Sequence, residues 1–123
     1  MTKRAILKIA NKHDLTGSQV MILMMIQDQE LPTMQTLANA LSCDASNITG
    51  VIDSLENKRL VSRREKPGDR RVKVVQLEPA GQALANLLLS DAAIERSRAF
   101  ASQLTSEEMR TLAGLVRKLS QAE

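Results

Sequence analysis

A turn signal, Pro67-Gly68-Asp69-Arg70, lies between two stretches of β-like composition, Val61 to Lys66 and Val72 to Leu77. Proline presets one corner of a turn, and glycine accepts the left-handed backbone that the next corner can require. With partial alternation of apolar residues on either side, the spacing predicts a β-hairpin. The segments around it have helical spacing. The expected fold is therefore mostly α with one small β-hairpin (α+β), in a single domain over residues 1–123.

Upstream, Thr2 to Lys12 place Ile6, Ile9 and Ala10 on one helical face. Thr16-Gly17-Ser18-Gln19 has the form of a capping box, in which hydroxyl and amide side chains satisfy the free N–H groups of a helix start. The run Val20-Met21-Ile22-Leu23-Met24-Met25-Ile26 is apolar on every face, which predicts a helix buried at the centre. Leu31-Pro32-Thr33 interrupts, and Thr33 caps a short helix through Leu41 with Leu37, Ala38 and Leu41 inward. Ser42-Cys43-Asp44 makes a tight connection. Asp44 or Ser46 starts the next helix, which buries Ile48, Val51, Ile52 and Leu55. Two short helices, a short turn and this apolar spacing describe a helix-turn-helix, and the hairpin behind it makes residues 14–78 a winged one.

Ser46, Asn47, Thr49, Gly50 and Asp53 lie off the buried face of that second helix. They are small enough for the helix to enter a major groove about 12 Å wide, where Asn can pair with adenine and Thr can touch a thymine methyl. Gly50 costs roughly 1 kcal/mol in a helix interior relative to Ala, and close approach to DNA is one reason to tolerate it. Thr33 and Gln35, at the start of the first short helix, join these as candidate DNA contacts.

Charge points the same way. Lys58 through Lys73 carry eight of the seventeen Lys and Arg residues and only two acids, net +6 in a chain of net +3. Such a local cluster is an address for a polyanion. Arg63, Arg64, Lys66, Arg70, Arg71 and Lys73 run along the hairpin, whose narrow tip fits a minor groove. Aromatics are almost absent, with one Phe and no Tyr or Trp, so single-stranded nucleic acid would find no stacking platforms here. Double-stranded DNA is the expected partner. One cysteine excludes an internal disulfide framework and fits a reducing cytoplasm, and the longest apolar run is too short to span a bilayer.

Downstream, Pro79 suits the first position of a helix running to about Leu104. Leu84, Ala85, Leu87, Leu88, Leu89, Ala93 and Ile94 surround that helix on all sides, more apolar surface than one small domain covers. Thr105-Ser106-Glu107-Glu108 is a second capping box, opening a last helix with Met109, Leu112, Leu115, Val116 and Leu119 in one stripe. Residues 1–13 and 79–123 are accordingly expected to be dimerisation helices of a homodimer.

From Leu37 to Gly81 the chain resembles the MarR family of bacterial transcriptional regulators. The resemblance rests on Leu37-Ala38 with Leu41, Ile48-Thr49-Gly50-Val51-Ile52-Asp53-Ser54-Leu55-Glu56, Leu60-Val61, Asp69-Arg70-Arg71, Val75-Gln76-Leu77 and Pro79-Ala80-Gly81. It implies a winged-helix homodimer on a pseudo-palindromic operator, usually a repressor released by a small ligand or by oxidation. It also implies that Arg71 enters the minor groove, that Asp69 holds Arg71 in place, and that Asn47, Thr49 and Gly50 read the major groove. The chain departs from the family in a shorter first helix and in Glu78, where the family usually has Thr.

Other residues invite sharper roles and support plainer ones. Cys43 lies in the turn of the helix-turn-helix with no Tyr partner in the chain, and reads as a structural thiol rather than a redox sensor. His13 and Cys43 alone do not make a zinc site, so no metal and no cofactor is expected; His13 reads as a helix-end or interface residue. Met21, Met24, Met25 and Met34 read as core packing before they read as a ligand pocket. No phosphate loop and no nucleophile–base pair is present, so no enzyme is expected. A second reading stays open, a winged-helix interaction module that binds an acidic partner protein instead of DNA.

Overall fold

The computed structural model describes residues 2–121. Its elements are α1 (Lys3–Lys12), α2 (Gly17–Asp28), α3 (Met34–Ala40), α4 (Ala45–Asn57), β1 (Val61–Lys66), β2 (Asp69–Leu77), α5 (Pro79–Ala101) and α6 (Ser106–Ser120). They gather into two compact units, residues 1–92 and 93–123, with the boundary inside α5.

Five helices start where a side chain can cap them. Thr2, Thr16, Thr33, Asp44 and Thr105 each accept the N–H of the residue three positions on. At Thr16/Gln19 and Thr105/Glu108 the bond is reciprocated, completing both capping boxes. Asp44, rather than Ser46, caps α4; the Ser46 hydroxyl instead donates to Asp44 Oδ1 at 2.9 Å.

Three helices stop without glycine. After α1, α3 and α4 the chain enters the left-handed region at Asp14 (φ 56°), Ser42 (φ 51°) and Arg59 (φ 60°). The next N–H groups, of Leu15, Cys43 and Leu60, reach back to the carbonyls of Ala10, Ala38 and Leu55 at 2.8, 3.0 and 3.0 Å. Each is a Schellman closure with an apolar residue or a thiol behind it. The half-buried Cys43 is thus part of a helix stop.

The core of the first unit is aliphatic. Val20, Ile22, Leu23, Leu37, Ile52, Leu55, Val75 and Leu88 are fully enclosed, each stabilising the fold by roughly 1.5–3 kcal/mol. α2 is central as expected, but burial is not all-round: Met21 faces solvent and Met24 and Met25 are half-buried, because the core packs chiefly on the side of Val20, Ile22, Leu23 and Ile26. Buried Gln19 is satisfied by Thr16 N–H and by donating to Ser54 Oγ at 3.0 Å, which joins the start of α2 to α4. At the end of α1, Lys12 Nζ donates to Asp91 Oδ1 of α5 at 3.0 Å, and His13 Nε2 lies 2.6 Å from Asp91 Oδ2. His13 therefore closes a helix end, as its position suggested.

β1 and β2 pair antiparallel from Val61↔Leu77 to Lys66↔Asp69, with a register slip between Glu65 and Lys66. β2 begins at Asp69, three residues before the Val72 expected from composition, because Asp69 pairs with Lys66 across that slip. Gly68 takes φ 86°, the left-handed corner a Pro-Gly turn calls for. Val75 N–H donates to Pro32 O at 2.9 Å and Thr33 bridges Val74, so the chain entering α3 adds a short third member to the sheet. Beyond the hairpin, Glu78 N–H donates to Leu60 O at 2.9 Å, and a Cβ on Gly81 would overlap that same Leu60 carbonyl. Only glycine lets the start of α5 approach so closely.

In the second unit α5 ends at Ala101, short of the Leu104 expected, and the Thr105/Glu108 box restarts the chain as α6. No residue of α6 is buried: Leu115, Val116 and Leu119 are more than half exposed, as is Phe100. Grooves of about 490 and 520 Å³ run along this apolar surface.

Two kinds of measurement check this account, the first of packing and backbone strain. Gly81→Ala should lower stability to urea by about 1–3 kcal/mol, the usual cost of overpacking. Arg59→Gly should raise it by less than about 1 kcal/mol: relief of roughly 1–2 kcal/mol of left-handed strain, offset by the added freedom of the unfolded chain. The second check concerns acid. Hydrogen bonds from His13 and then Lys12 hold the Asp91 carboxyl below its ordinary range, against the opposing effect of burial. Its folded pKa is thus below its unfolded one, so its contribution is present above about pH 4 and lost as pH falls further. Asp91→Asn should flatten the stability–pH curve below about pH 4; identical curves would mean that the pairing adds no stability.

Candidate nucleic-acid interface

α4 divides its residues by burial as the sequence suggested. Ile48, Ile52 and Leu55 go inward, Val51, also expected inside, is only half-buried at the edge of the core, and Ser46, Asn47, Thr49, Gly50 and Asp53 face solvent. Several of these polar groups are already engaged. Asp44 binds the Asn47 N–H and the Ser46 hydroxyl, and those two bonds hold its carboxyl below the ordinary range. The Thr49 hydroxyl donates to Ala45 O at 2.7 Å, leaving its methyl group and its oxygen lone pair outward. Above Gly50 there is open space, with nothing within 4 Å of where a Cβ would stand. Asn47 is exposed on the same face.

At the start of α3, Thr33 is half-buried and committed to capping through the Thr36 N–H. Gln35 is exposed and donates along its own helix to Asn39 Oδ1 at 2.8 Å.

The hairpin is most exposed at its tip. Arg70 and Arg71 show 91% and 92% of their side chains to solvent. Asp69 Oδ1 accepts the Arg71 N–H at 3.1 Å and Arg71 Nε at 3.3 Å, so one carboxylate oxygen sets both the backbone and the head of Arg71. Glu65 lies 3.9 Å from both Arg70 and Lys73, a loose surface arrangement of small energetic weight. Arg64 and Lys66 are exposed.

Arg63 behaves differently from the other hairpin arginines. Its Nη2 is 2.5 Å from Asp53 Oδ1 and 2.5 Å from Glu56 Oε1, and its backbone N–H donates to Glu56 Oε2 at 3.2 Å. Only 30% of its side chain is exposed. Burial alone would pull its pKa down; the bonds to Asp53 and Glu56 outweigh that and hold it above its ordinary value. Glu56 entered the sequence reading only as part of a motif. The signal was available: Asp53 and Glu56 are one helical turn apart, just ahead of a strand carrying Arg63.

Four elements meet at one open groove of about 250 Å³. Gln35 of α3, Thr49 of α4, Arg63 of β1 and Lys73 of β2 line it, over Met34, Ala38, Ala45 and Ile48. Four residues singled out from sequence thus converge although they are spread over thirty-eight positions of chain.

A helix-turn-helix followed at once by a two-stranded antiparallel wing defines a winged helix-turn-helix protein. The MarR family model matches residues 15–73, which contain both helices and most of the wing. The chain is 31% identical over 121 residues to the HTH-type transcriptional regulator PecS of Dickeya dadantii, covering 94% of this chain and 72% of PecS. It is 35% identical over 88 residues to a regulatory protein assigned to the hcr operon of Thauera aromatica, covering 71% of this chain and about half, 52%, of that relative. A mutant of S. aureus MepR bound to an oligodeoxyribonucleotide superposes with a TM-score of 0.70 at 26% identity, covering 98% of this chain and 89% of MepR. The chain belongs to the MarR family of winged helix-turn-helix transcriptional regulators.

Because no neighbour occupies the space above Gly50, Gly50→Ala should raise the melting stability of the protein alone by about 0.5–1 kcal/mol, the helix-interior cost of glycine. A loss of stability would mean that Gly50 serves the fold itself.

Proposed function

We propose that this protein is a transcriptional repressor that binds a pseudo-palindromic duplex operator as a homodimer. The observation that carries the reading is the convergence of Gln35, Thr49, Arg63 and Lys73 from four elements at one groove, beside the exposed polar face of α4 and below a tip of exposed arginines. α4 enters the major groove and presents Ser46, Asn47, Thr49 and Gly50 to base edges and phosphates. The wing carries Arg64, Lys66, Arg70 and Lys73 to phosphates and Arg71 to the minor groove, where negative potential concentrates. Asp69 presets the Arg71 head, which lowers the ordering cost of that contact. Thr33 and Gln35 support the entry from the start of α3.

Residues 14–78 form the DNA-binding part, and residues 1–13 with 79–123 hold the dimer. The exposed apolar face of α6, with Phe100, supports this division, since a surface of that kind on a regulator is an interface. A dimer places two copies of α4 in successive major grooves, about 34–36 Å apart. Release by a small ligand and action in the cytoplasm complete the proposal, with no enzymatic step. No helix among the described residues is long and apolar enough to cross a membrane.

The test is duplex binding across a salt series. A dimer that neutralises roughly six to eight phosphates should give a slope of log K against log salt near −5 to −7. Arg71→Ala should weaken binding strongly, and a substitution at Asn47 should change which duplex is preferred. Gly50→Ala, stabilising by itself, should bind DNA less well. A slope near zero with no preference among genomic fragments would leave the chain as a module for an acidic protein partner and sink the DNA reading.

A further inference from the structure

We propose that Arg63 is a positioning residue: clamped between Asp53 and Glu56, it fixes the angle of the wing to the reading helix and does not contact DNA. This rests on the DNA-binding reading above and revises the part that Arg63 and Asp53 play in it.

Three observations carry the inference. The first is connectivity. Arg63 reaches α4 twice, through its guanidinium to Asp53 and Glu56 and through its own backbone N–H to Glu56. A planar guanidinium offers several donors in fixed directions, so holding two carboxylates from consecutive turns of one helix defines an orientation as well as a distance. The second is charge. Arg63 with Asp53 and Glu56 carries net −1, in a surface meant to receive a polyanion. As a phosphate contact the cluster is self-defeating, since two acids would stand beside the phosphate that one arginine must attract. The acids make sense if they serve to hold the arginine. The third is exposure: Arg63 shows 30% of its side chain, against 91% and 92% for Arg70 and Arg71 at the tip.

The clamp also fills a gap in how the hairpin is fastened. β2 is tied to the chain entering α3 by the Val75–Pro32 bond and the Thr33–Val74 bridge. β1 pairs with β2 along one edge, its first residue Val61 is buried in the core, and Arg63 adds a polar side-chain tie to α4 further out. With both ties in place, the tip arginines and the polar face of α4 hold a set relation before DNA arrives. Without the clamp the wing samples other angles. The apparent affinity for operator then falls in proportion to the fraction of molecules correctly set.

The experiment compares wild type, Arg63→Lys and the double variant Asp53→Asn/Glu56→Gln. One duplex is selected by the wild-type protein from a random-sequence pool, and a second is a scrambled control. If the acids merely sit near DNA, neutralising both removes repulsion and frees Arg63, so binding to both duplexes tightens. The clamp requires the reverse for the selected duplex. Its affinity should fall about fivefold or more, while the scrambled duplex is bound as well or better, so the specificity ratio shrinks. The salt slope on the selected duplex should stay unchanged. Arg63→Lys keeps the charge but loses the planar guanidinium whose Nη2 reaches both acids, so it should reproduce the loss of specificity; a phosphate contact would survive that change.

A readout without DNA separates this idea from the reading it rests on. In amide hydrogen exchange, Arg64 through Val72 should exchange about fivefold faster in the double variant, while Ile22 and Leu23 of the core stay protected as in wild type. Unchanged hairpin exchange, or selected-duplex affinity equal to or above wild type, overturns the clamp. If wild type binds no duplex at all, the proposed function falls, and the exchange experiment still decides whether Arg63 holds the wing.

Discussion

A two-stranded hairpin has no fixed shape of its own in water. In this protein everything proposed for the wing depends on what the hairpin is fastened to. Its inner half is secured by burial: Val61, Val74 and Val75 are enclosed by the helical core. Its outer edge is secured by backbone, because Pro32 and Thr33 pair with β2 immediately before α3 begins. The same few residues therefore end one loop, extend a sheet and cap a helix. The helix-turn-helix and the wing become one mechanical object, and the groove lined by Gln35, Thr49, Arg63 and Lys73 is the place where its parts meet.

Within that object charge is sorted by position. Counting residues makes Lys58–Lys73 a uniform basic patch. The geometry makes it a gradient. Near the root, Arg63 is consumed by two acids, and Lys58 reaches the Asp14 carbonyl at 3.4 Å. At the tip, Arg70 and Arg71 are solvent-facing, and Asp69 orients the second of them without burying it. An arginine held by one acid keeps most of its donors available, whereas one shared by two acids keeps few. Two arginines eight positions apart thus suit different tasks, one reaching outward and the other holding the strand.

Helix starts were legible in the sequence because they are chemical: a Thr or Asp before an apolar run is a recognisable cap, and Thr16, Thr33 and Thr105 stand where they were expected, with Asp44 taking the place shared with Ser46 and only Thr2, expected inside α1, turning out to cap it. The residues that make the stops were not. Asp14, Ser42 and Arg59 take the left-handed turn that glycine usually takes, and what enforces it is a backbone bond and an apolar or thiol residue one position later. No single-residue signal encodes that. The same limit explains why β2 was expected to begin late, since only the backbone pairing of Asp69 with Lys66, across the register slip, brings the tip into the ladder. The apolar run of α2 could say that the helix is central but could not say which residue faces out, and Met21 does. At the candidate site the residue types were legible and their partners were not. Arg63 looks like its neighbours in sequence, and only the fold turns it toward Asp53 and Glu56.

The root of the wing is where strain and close packing coincide. Arg59 holds a left-handed backbone, and Leu60 closes α4 by bonding back to Leu55. The Leu60 carbonyl then accepts Glu78 N–H and leaves no room for a Cβ at Gly81. Four residues of chain thereby connect the end of α4, the start of β1 and the start of α5 with little freedom to move. A hairpin anchored so firmly at its base can err only by bending further out. Arg63 stands three residues beyond Leu60, the first residue of β1 with a long charged side chain, and it reaches back to α4. A restraint there acts on the whole remaining lever of the wing, whereas the same bond nearer the root would duplicate packing and one nearer the tip would use up the arginines that have to face outward.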